Sequence, residues 1–441
     1  MKMPARASLL WPTLGALALR VAVVVWAAGE FPAAADGAYF DTLAHRMAEG
    51  LGYSWGWPDG TVTSVAHYPV GYPAFLAAIY KLFGHSVQAV GYSQALLGSV
   101  GVLAFAAAAR RQMGAPAAVF VAWALALHPA LWLYTPAVMS EGVSVAWLGV
   151  CAWLFARAAE HRAWAGALGL AFGAATLLRP QFLIFAPVFG VLLPGTWRAR
   201  LVQAAAVSAI ALLACVPWTL RNCHEMHSCA LVSVNGGWNL AIGAQSDSGA
   251  WQEIQVPEPC QSIWDEAGKD ACFGKEAIRQ IRERPKSWLS RMPAKLHVTF
   301  DYAGAAPWYL HVSNAARFDE HAKFFWGAAE TVYARCLLAF ALWASCVRSF
   351  AQRGRATMIA AGMGAMALAA FRHVTLQSLF GAALRLWRSP WSLERAFAAV
   401  TLLTALTHAA FFGAGRYGLV AIPALALTGA IAFLDRTAGD E

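Results

Sequence analysis

Two acidic residues lie at the ends of predicted membrane helices, where a carboxylate can do chemistry. Asp36 follows the first apolar run of the chain, and Glu141 opens the fourth predicted helix. A carboxylate at the membrane interface loses part of its hydration, which raises its pKa and suits it to accept a proton as a general base. Both residues also have a structural interpretation, because Asp36 can cap a short helix predicted at 38–49 and an acid is favoured at a helix N-terminus. The local sequence leaves both interpretations open.

Basic and aromatic side chains accompany these acids in the predicted outer loops. Residues 67–73, HYPVGYP, are richer in polar and aromatic groups than a simple connector requires. Arg179 and Arg416 lie in outer turns, whereas most arginines lie in predicted inner turns. An arginine at the outer face needs an anionic partner, which is either a buried carboxylate or a lipid-linked phosphate.

The composition places these elements in a membrane. Of the 441 residues, 59% are hydrophobic and 13% are charged, whereas about a quarter of the residues in a soluble domain are charged. Apolar runs of about 17–22 residues recur, and this is the length that a helix needs to cross roughly 30 Å of hydrocarbon. We predict an all-α polytopic membrane protein with about 12 transmembrane helices. The predicted spans are about 9–29, 87–109, 115–135, 141–157, 163–178, 181–195, 200–220, 326–349, 355–371, 373–387, 396–413 and 417–434.

The predicted spans divide the chain into three parts. An N-terminal transmembrane half covers 1–220, a polar outer segment covers 221–325, and a C-terminal half covers 326–441. The first outer loop covers about 30–86, and its apolar stretch 69–83 suits an interfacial or re-entrant helix because it is short for a crossing. With the N-terminus inside, the arginines follow the positive-inside rule. The net charge of +9 is therefore explained by topology, and we expect no nucleic-acid partner.

Four cysteines in the outer segment indicate an oxidising compartment. An even set of cysteines within one polar segment is typical of disulfides. Sequence order favours pairs between neighbours, although four cysteines allow three pairings and four free thiols stay an alternative. No cysteine and histidine spacing of a zinc site is present. The disulfide candidates are Cys223 with Cys229 and Cys260 with Cys272.

Several short motifs follow one another in order along nearly the whole chain. The matching residues are Asp36, Tyr39, Leu43, Ala44, Gly50, Tyr53, 67–73, Glu141, Arg179, Pro180, Pro217, Trp218, Arg221, Asn222, 235–237, Asn239, Leu240, Gly243, Ala277, Ile278, Ile281, Pro285, Trp288, Leu289, Lys295, Arg416, Tyr417 and Pro423. This series resembles the membrane-embedded glycosyltransferases of the C superfamily, of the family 39 type, which are related to protein O-mannosyltransferases and lipid A aminoarabinose transferases. No single motif is specific, and the resemblance rests on their order.

The resemblance implies an inverting glycosyltransferase that moves a sugar from a polyprenyl-phosphate donor to an acceptor on the extracytoplasmic face. It makes Asp36 the base that deprotonates the acceptor, while Glu141 helps to shape the site. Many relatives carry two adjacent acids where this chain has Asp36 and Gly37. The base can therefore instead involve Asp41, and a dependence on a divalent metal is left open, with no metal ligand predicted. The residues expected to bind the donor phosphate or the substrate are His67, Tyr68, Tyr72, Arg179, Arg416 and Tyr417.

Two other functions fit the same architecture. The first is a lipid-linked saccharide flippase or transporter, which would carry polar residues in the middle of its membrane helices. Apart from Arg20, the middles of the predicted helices here are nearly free of polar residues. The second is a lipid-linked oligosaccharide ligase or polymerase, which needs the same outer acid and arginines. We expect a multi-pass protein of a bacterial inner membrane whose site faces the periplasm. The sequence does not choose among a lipid, a glycan and a protein as the acceptor.

Overall fold

The computed structural model describes residues 9–349, 362, 364 and 373–434, and the fold is almost entirely helical. The span predicted at 355–371 lies outside the described residues. Each of the other predicted spans coincides with helical structure. The total of about 12 crossings stays a prediction.

Within the described residues, the N-terminal half contains ten α-helices, one 3₁₀ helix and a short two-stranded sheet. They are α1 Leu10–Ala27, α2 Asp36–Ala48, β1 Ser54–Gly56, β2 Val62–Ser64, α3 Gly71–Phe83, α4 Val87–Met113, α5 Ala115–Ala126, α6 Pro129–Leu133, α7 Ser140–Glu160, α8 Trp164–Leu178, the 3₁₀ helix Pro180–Phe185, α9 Ala186–Val191 and α10 Trp197–Glu225.

The rest of the described chain is also helical. Its elements are α11 Gly236–Gln245, α12 Glu258–Gln261, α13 Glu266–Glu283, α14 Pro285–Phe300, α15 Ala305–Ser313, α16 Glu320–Ser349, α17 Val374–Arg388, α18 Ser392–Ala410, the 3₁₀ helix Gly415–Ala421, α19 Ile422–Ala430 and the 3₁₀ helix Ile431–Phe433.

Apolar helices make this a multi-pass membrane protein. Within the described ranges, five segments are long and apolar enough to cross a membrane. Shorter apolar helices lie beside them at Ala115–Ala126, Trp164–Leu178 and Pro180–Val191. The five long segments are Leu10–Ala27, Val87–Met113, Ser140–Glu160, Trp197–Glu225 and Gly415–Phe433.

The span predicted as one helix at 115–135 is broken. Helix α5 ends at Ala126 and α6 begins at Pro129. Proline has no amide hydrogen for the helical ladder, and it pushes the preceding residue out of the helical region. His128 accordingly has an extended backbone, with φ −64° and ψ 116°.

Small residues let the central helices of the N-terminal half approach closely. A Cβ atom at Gly101 of α4 would lie 2.5 Å from the Cα of Ala146 in α7. At Gly149 of α7, an added Cβ would lie 2.6 Å from the carbonyl oxygen of Gly101. Close backbone contact between small residues is how membrane helices associate without a hydrophobic driving force. The helix α7 is therefore held firmly where it presents Glu141.

The first outer loop folds into two helices with a β-hairpin between them. The short helix predicted at 38–49 is present as α2, which begins two residues earlier, at Asp36. It packs against α3, a 13-residue helix in the stretch expected to be interfacial. Strands β1 and β2 are antiparallel, with Ser54 opposite Ser64. The loop is thus a folded unit that places the start of α2 and residues 67–73 next to each other.

The outer segment forms a small helical unit with its own core and disulfides. Helix α11 packs on α13 around a buried cluster that includes Phe273. Cysteines are paired as sequence order favours, Cys223 with Cys229 and Cys260 with Cys272. The first bond lies at the start of the outer segment, and the second joins α12 to α13.

Candidate active site

Asp36 is the first residue of α2, and its side chain is bound by two partners from distant parts of the chain. The N-cap position is Ala35, and no side-chain capping bond forms there. Instead, the Tyr68 hydroxyl donates to Oδ1 of Asp36 at 3.1 Å, and Arg416 Nη1 donates to Oδ2. The carboxylate keeps 28% of its surface exposed. The structure therefore gives Asp36 polar partners beyond its own helix, and it also leaves the group accessible.

The backbone around Asp36 explains why a second acid is absent. Ala35 has a φ of 51°, which is unfavourable for a residue with a Cβ. Residues with such backbone strain are frequent at functional sites. A Cβ at Gly37 would lie 2.6 Å from the carbonyl oxygen of Val138. A residue with a side chain, acidic or not, therefore does not fit at position 37 against this backbone.

The expectation of a raised pKa at Asp36 was wrong. Burial by itself raises the pKa of this carboxyl, but the charge of Arg416 and hydrogen bonds from Arg416 and Tyr68 outweigh burial and lower the pKa below its usual value. The sequence suggested only the desolvation, because the arginine comes from the other end of the chain. Asp36 is thus ionised and paired in this structure.

Arg416 lies in the 3₁₀ helix Gly415–Ala421 and connects the two acids. Besides Asp36, its Nη1 donates to the Tyr309 hydroxyl at 2.5 Å, and its Nε lies 3.8 Å from Oε1 of Glu141. The outer turn around position 416 thus finds a carboxylate partner, which is one of the two alternatives predicted for it. Tyr309 comes from α15 in the outer segment, so three parts of the chain meet at this guanidinium.

Glu141 and Arg179 form a second ion pair, which is more deeply buried. Arg179 Nη2 lies 2.5 Å from Oε1 of Glu141, whose side chain is 1% exposed. Arg179 also donates to the Ser140 hydroxyl at 3.2 Å. Within the described part of the chain, Glu141 Oε2 and Arg179 Nε are buried without a hydrogen-bond partner. Such atoms are uncommon in folded proteins and leave hydrogen-bonding capacity at this point.

The two ion pairs form one unit, which we call the charge cluster: Asp36, Glu141, Arg179 and Arg416. Tyr417 lies close to both arginines, with its ring centroid 5.0 Å from the Arg416 guanidinium carbon and 5.7 Å from that of Arg179. The Tyr417 hydroxyl accepts a hydrogen bond from Arg416 Nη2 at 3.2 Å. Two acids and two arginines therefore balance formally, so a bound anion would have to compete with the acids for the arginines.

The residues predicted in the HYPVGYP run take different positions. Tyr68 contacts Asp36, whereas the His67 ring packs edge to face on Tyr68 and on Trp238 of α11. Burial lowers the pKa of His67, in spite of nearby acids that raise it. Tyr72 is 1% exposed, and its hydroxyl donates to Gln94 Oε1 at 3.1 Å. Tyr72 is therefore separated from the accessible surface of the cluster.

Asp41, the alternative base, lies outside the charge cluster. Its Oδ1 accepts from the Tyr80 hydroxyl at 2.5 Å and lies 2.9 Å from Nε2 of His85. These partners come from α3 and from the turn after it. Asp41 thus helps to hold α2 against α3.

Some side chains near the site carry no sequence signal that could have identified them. Tyr309 contacts Arg416, and Glu266 binds the loop that carries Tyr68, yet both come from the outer segment, which contains no recognisable binding module. Only three-dimensional proximity reveals them. Among the described residues, no group of three or more His, Cys, Asp or Glu side chains is arranged to hold a metal ion.

Comparison with known proteins supports the predicted resemblance. Residues 67–220 match the family described as dolichyl-phosphate-mannose-protein mannosyltransferase. The matching stretch is about a third of the chain and includes Tyr68, Glu141 and Arg179. The match confirms the resemblance to membrane glycosyltransferases that the motif series predicts.

Two solved structures are similar to the chain at low sequence identity. The Archaeoglobus fulgidus oligosaccharyltransferase, tethered to an acceptor peptide containing the NVT sequon, has 13% identity and a TM-score of 0.49, with 97% of this chain and 49% of that one covered. The chain thus spans about half the length of the archaeal protein. ArnT from Cupriavidus metallidurans in the apo state has 18% identity and a TM-score of 0.37, with 93% of this chain and 76% of that one covered. No curated protein matches the chain.

Proposed function

We propose that this protein is a membrane glycosyltransferase that moves a sugar from a polyprenyl-phosphate donor to an acceptor on the extracytoplasmic face. The observation that carries the proposal is the accessible Asp36 carboxylate, held by Arg416 and Tyr68 beside a second, buried ion pair. A base and two arginines in one partly buried place are the groups that this reaction needs.

In the proposed reaction, Asp36 takes the proton from the acceptor's nucleophilic group. The acceptor atom then bonds to the anomeric carbon of the sugar from the side opposite the phosphate. The bond from the anomeric carbon to the phosphate oxygen breaks, and its electron pair stays on that oxygen. The products are the glycosylated acceptor, with inverted configuration, and polyprenyl phosphate.

The arginines would balance the charge that develops on the leaving group. The donor carries one negative charge as a phosphodiester, and its phosphate gains a second as the sugar leaves. Arg416 is the better placed of the two for this role, because it binds the base directly. Arg179 also lies near the Tyr417 ring and adds a second positive charge. Preorganised charges in a site that excludes bulk water stabilise a transition state strongly.

The disulfides support an extracytoplasmic position for the reaction. The cysteine pairs lie in the outer segment, and disulfides persist in oxidising compartments such as the bacterial periplasm. The same segment contributes Tyr309 to the charge cluster. We therefore propose that the protein lies in a bacterial inner membrane and that its active site opens to the periplasm. The acceptor would be a lipid, a glycan or a protein, and the outer segment would help to select it.

The test is transfer by the purified protein in nanodiscs, supplied with a panel of radiolabelled polyprenyl-phosphate sugars and an extract of envelope lipids and glycans. We expect one donor to be consumed, with release of polyprenyl phosphate and with the label moved to an acceptor. Controls are the same reactions without protein and with Asp36→Asn. Consumption of a lipid-linked oligosaccharide alone would indicate a ligase or polymerase instead. Binding of every donor without release, together with movement of the donor across vesicle membranes, would replace the proposal with a flippase.

A further inference from the structure

We infer that Glu266 is a positioning residue, which fixes the segment carrying Tyr68 and thereby orients the Asp36 carboxylate. This inference rests on the proposed function, because it assigns Glu266 a part in the geometry of the same site. Glu266 itself contacts neither Asp36 nor Arg416 by hydrogen bond or ion pair in the described chain. Its influence on the base would pass through the backbone of the first outer loop.

One carboxylate oxygen of Glu266 holds two consecutive backbone amides. The amide of Ala66 donates to Oε2 at 2.6 Å, and the amide of His67 donates to the same oxygen at 3.1 Å. Ala66 is fully buried, so its amide would otherwise lose its hydrogen bond to water without replacement. Burial raises the pKa of the Glu266 carboxyl, and the hydrogen bonds from these two amides oppose that shift. The bonds are strongest when the carboxyl is ionised. The contact therefore sets the path of the backbone immediately before Tyr68.

The outer segment holds Glu266 in place. Glu266 is the first residue of α13, whose N-cap Asp265 accepts from the amide of Gly268 at 2.6 Å. The disulfide between Cys260 and Cys272 joins the two sides of Glu266. The carboxylate is thus presented by a capped and covalently fastened helix start rather than by a flexible loop.

Tyr68 connects the backbone that Glu266 holds to the Asp36 carboxylate. Its carbonyl oxygen accepts from the Tyr53 hydroxyl at 2.8 Å, and its own hydroxyl donates to Asp36. Tyr53 holds the far side of the residue, and Glu266 holds the backbone that precedes it. A small displacement at a catalytic group can lower a rate by about 100-fold. Loss of the Glu266 contact should therefore weaken the bond between Tyr68 and Asp36.

A second contact between the same regions supplies a comparison. Glu225, at the end of α10, accepts from the Ser64 hydroxyl at 2.9 Å, a contact with an exposed side chain rather than with backbone amides. Arg221 also donates to the carbonyl oxygens of Val65 and Tyr53. The loop is therefore attached at several points. The amide of Val234 also donates to the carbonyl oxygen of Ala66 at 2.9 Å, and Glu266 binds the two amides that directly precede Tyr68.

The experiment compares Glu266→Gln, Tyr68→Phe and the double variant, with Glu258→Gln as a matched control. Glu258 is an exposed acid of the same segment, so its change removes equal charge. We expect Glu266→Gln to lower kcat by roughly 10- to 100-fold. We expect little further loss when it is added to Tyr68→Phe, because residues that act through one another are not additive. Glu258→Gln should behave as wild type.

The pH profile separates positioning from a general loss of structure. Asp36 faces Arg416, Tyr68 and His67, and the Tyr68 hydrogen bond contributes to lowering its pKa. Burial raises the pKa of Glu266 itself, so the shift is measured in Tyr68→Phe, which keeps Glu266, as well as in Glu266→Gln. Weakening the bond to Asp36 should move the acidic limb of the kcat profile to higher pH in both variants. A loss of rate with an unmoved profile, or a full additive loss on the Tyr68→Phe background, would overturn the inference.

Hydrogen exchange of the amides of Ala66 and His67 gives a readout that does not need transfer activity. We expect protection in the wild type and faster exchange in Glu266→Gln, with Glu266→Asp intermediate. Unchanged exchange in both variants would overturn the inference whatever the activity. A wild type that shows this protection but transfers no sugar would instead reject the proposed function.

Discussion

The two ion pairs of the charge cluster differ in burial, and the difference suggests different roles. In the Asp36 and Arg416 pair, the side chains are 28% and 17% exposed, whereas Glu141 is 1% exposed and Arg179 is 14% exposed. A reacting base must meet its substrate, which the first pair permits and the second does not. The buried pair instead fixes charge next to the site.

The pairs also differ in how the chain assembles them. Asp36 and Arg416 are 380 positions apart, and they meet only when the first outer loop and the last helices are in place. Glu141 and Arg179 are 38 positions apart on adjacent parts of the N-terminal half. The Asp36 and Arg416 pair therefore forms only when both halves of the chain are folded, whereas the Glu141 and Arg179 pair forms within the N-terminal half.

The largest loss of activity is expected for substitution of Asp36, the proposed base. Asp36→Asn keeps the size of the side chain but removes its ability to take a proton, so kcat should fall by about 10²- to 10⁴-fold. The melting temperature should fall less than in Glu141→Gln, because the Asp36 side chain is 28% exposed and an asparagine oxygen can still accept a hydrogen bond from Arg416 or Tyr68. Transfer kinetics and thermal unfolding of the same preparation check both parts. Retained turnover would remove Asp36 from the role of base.

Arg416→Gln tests the partner of that base. Removing its charge should lower kcat by about 10²- to 10³-fold and weaken donor binding, because the leaving phosphate loses its neutralising group. Since Arg416 lowers the pKa of Asp36, its removal should raise that pKa and shift the acidic limb of the activity profile to higher pH. A pH profile of residual activity measures this shift. An unshifted limb would mean that another group sets it.

Glu141→Gln tests the buried pair, where the expected effect is on stability. Leaving Arg179 buried without its partner should cost about 3–5 kcal/mol of unfolding free energy. The matched control is Glu160→Gln, because Glu160 pairs with Arg111 at 2.5 Å and its side chain is 38% exposed. That change should cost less than about 1 kcal/mol. Denaturation in the same detergent compares them, and equal losses would contradict the contrast in burial.

The smallest effect is expected at Asp41. Its contacts with Tyr80 and His85 hold two helices of the first loop together, so Asp41→Asn should cost about 1 kcal/mol of stability. Transfer should continue at the wild-type rate. A loss of transfer comparable to that of Asp36→Asn would shift the role of base to Asp41.

The helical architecture could be predicted from the sequence because apolar runs of sufficient length have few other solutions. The predicted spans within the described residues coincide with helices, apart from the break that Pro129 imposes at 127–128. The disulfide pairs were also favoured in advance, because neighbouring cysteines in one segment close short loops. These features depend on local sequence, which is where single-sequence reasoning is strongest.

The site was predictable as a set of residues but not as a geometry. Asp36 and Arg416 were both singled out, yet nothing local indicates that they bind each other, and the pKa direction at Asp36 was wrong for that reason. Tyr72 was placed with the donor, but it is buried against Gln94. Glu266 and Tyr309 act through contacts made only in the folded chain. Tertiary pairing is the information that the sequence did not reveal.

The most direct test of the account is the anomeric configuration of the transferred sugar, measured by nuclear magnetic resonance on the product of a single turnover with a donor of known configuration. Asp36 acting as a base for direct displacement predicts a product with only the inverted configuration, formed about 10²- to 10⁴-fold more slowly in Asp36→Asn. A product of retained configuration would contradict the account, because it would require a covalent intermediate and a nucleophile in place of the base.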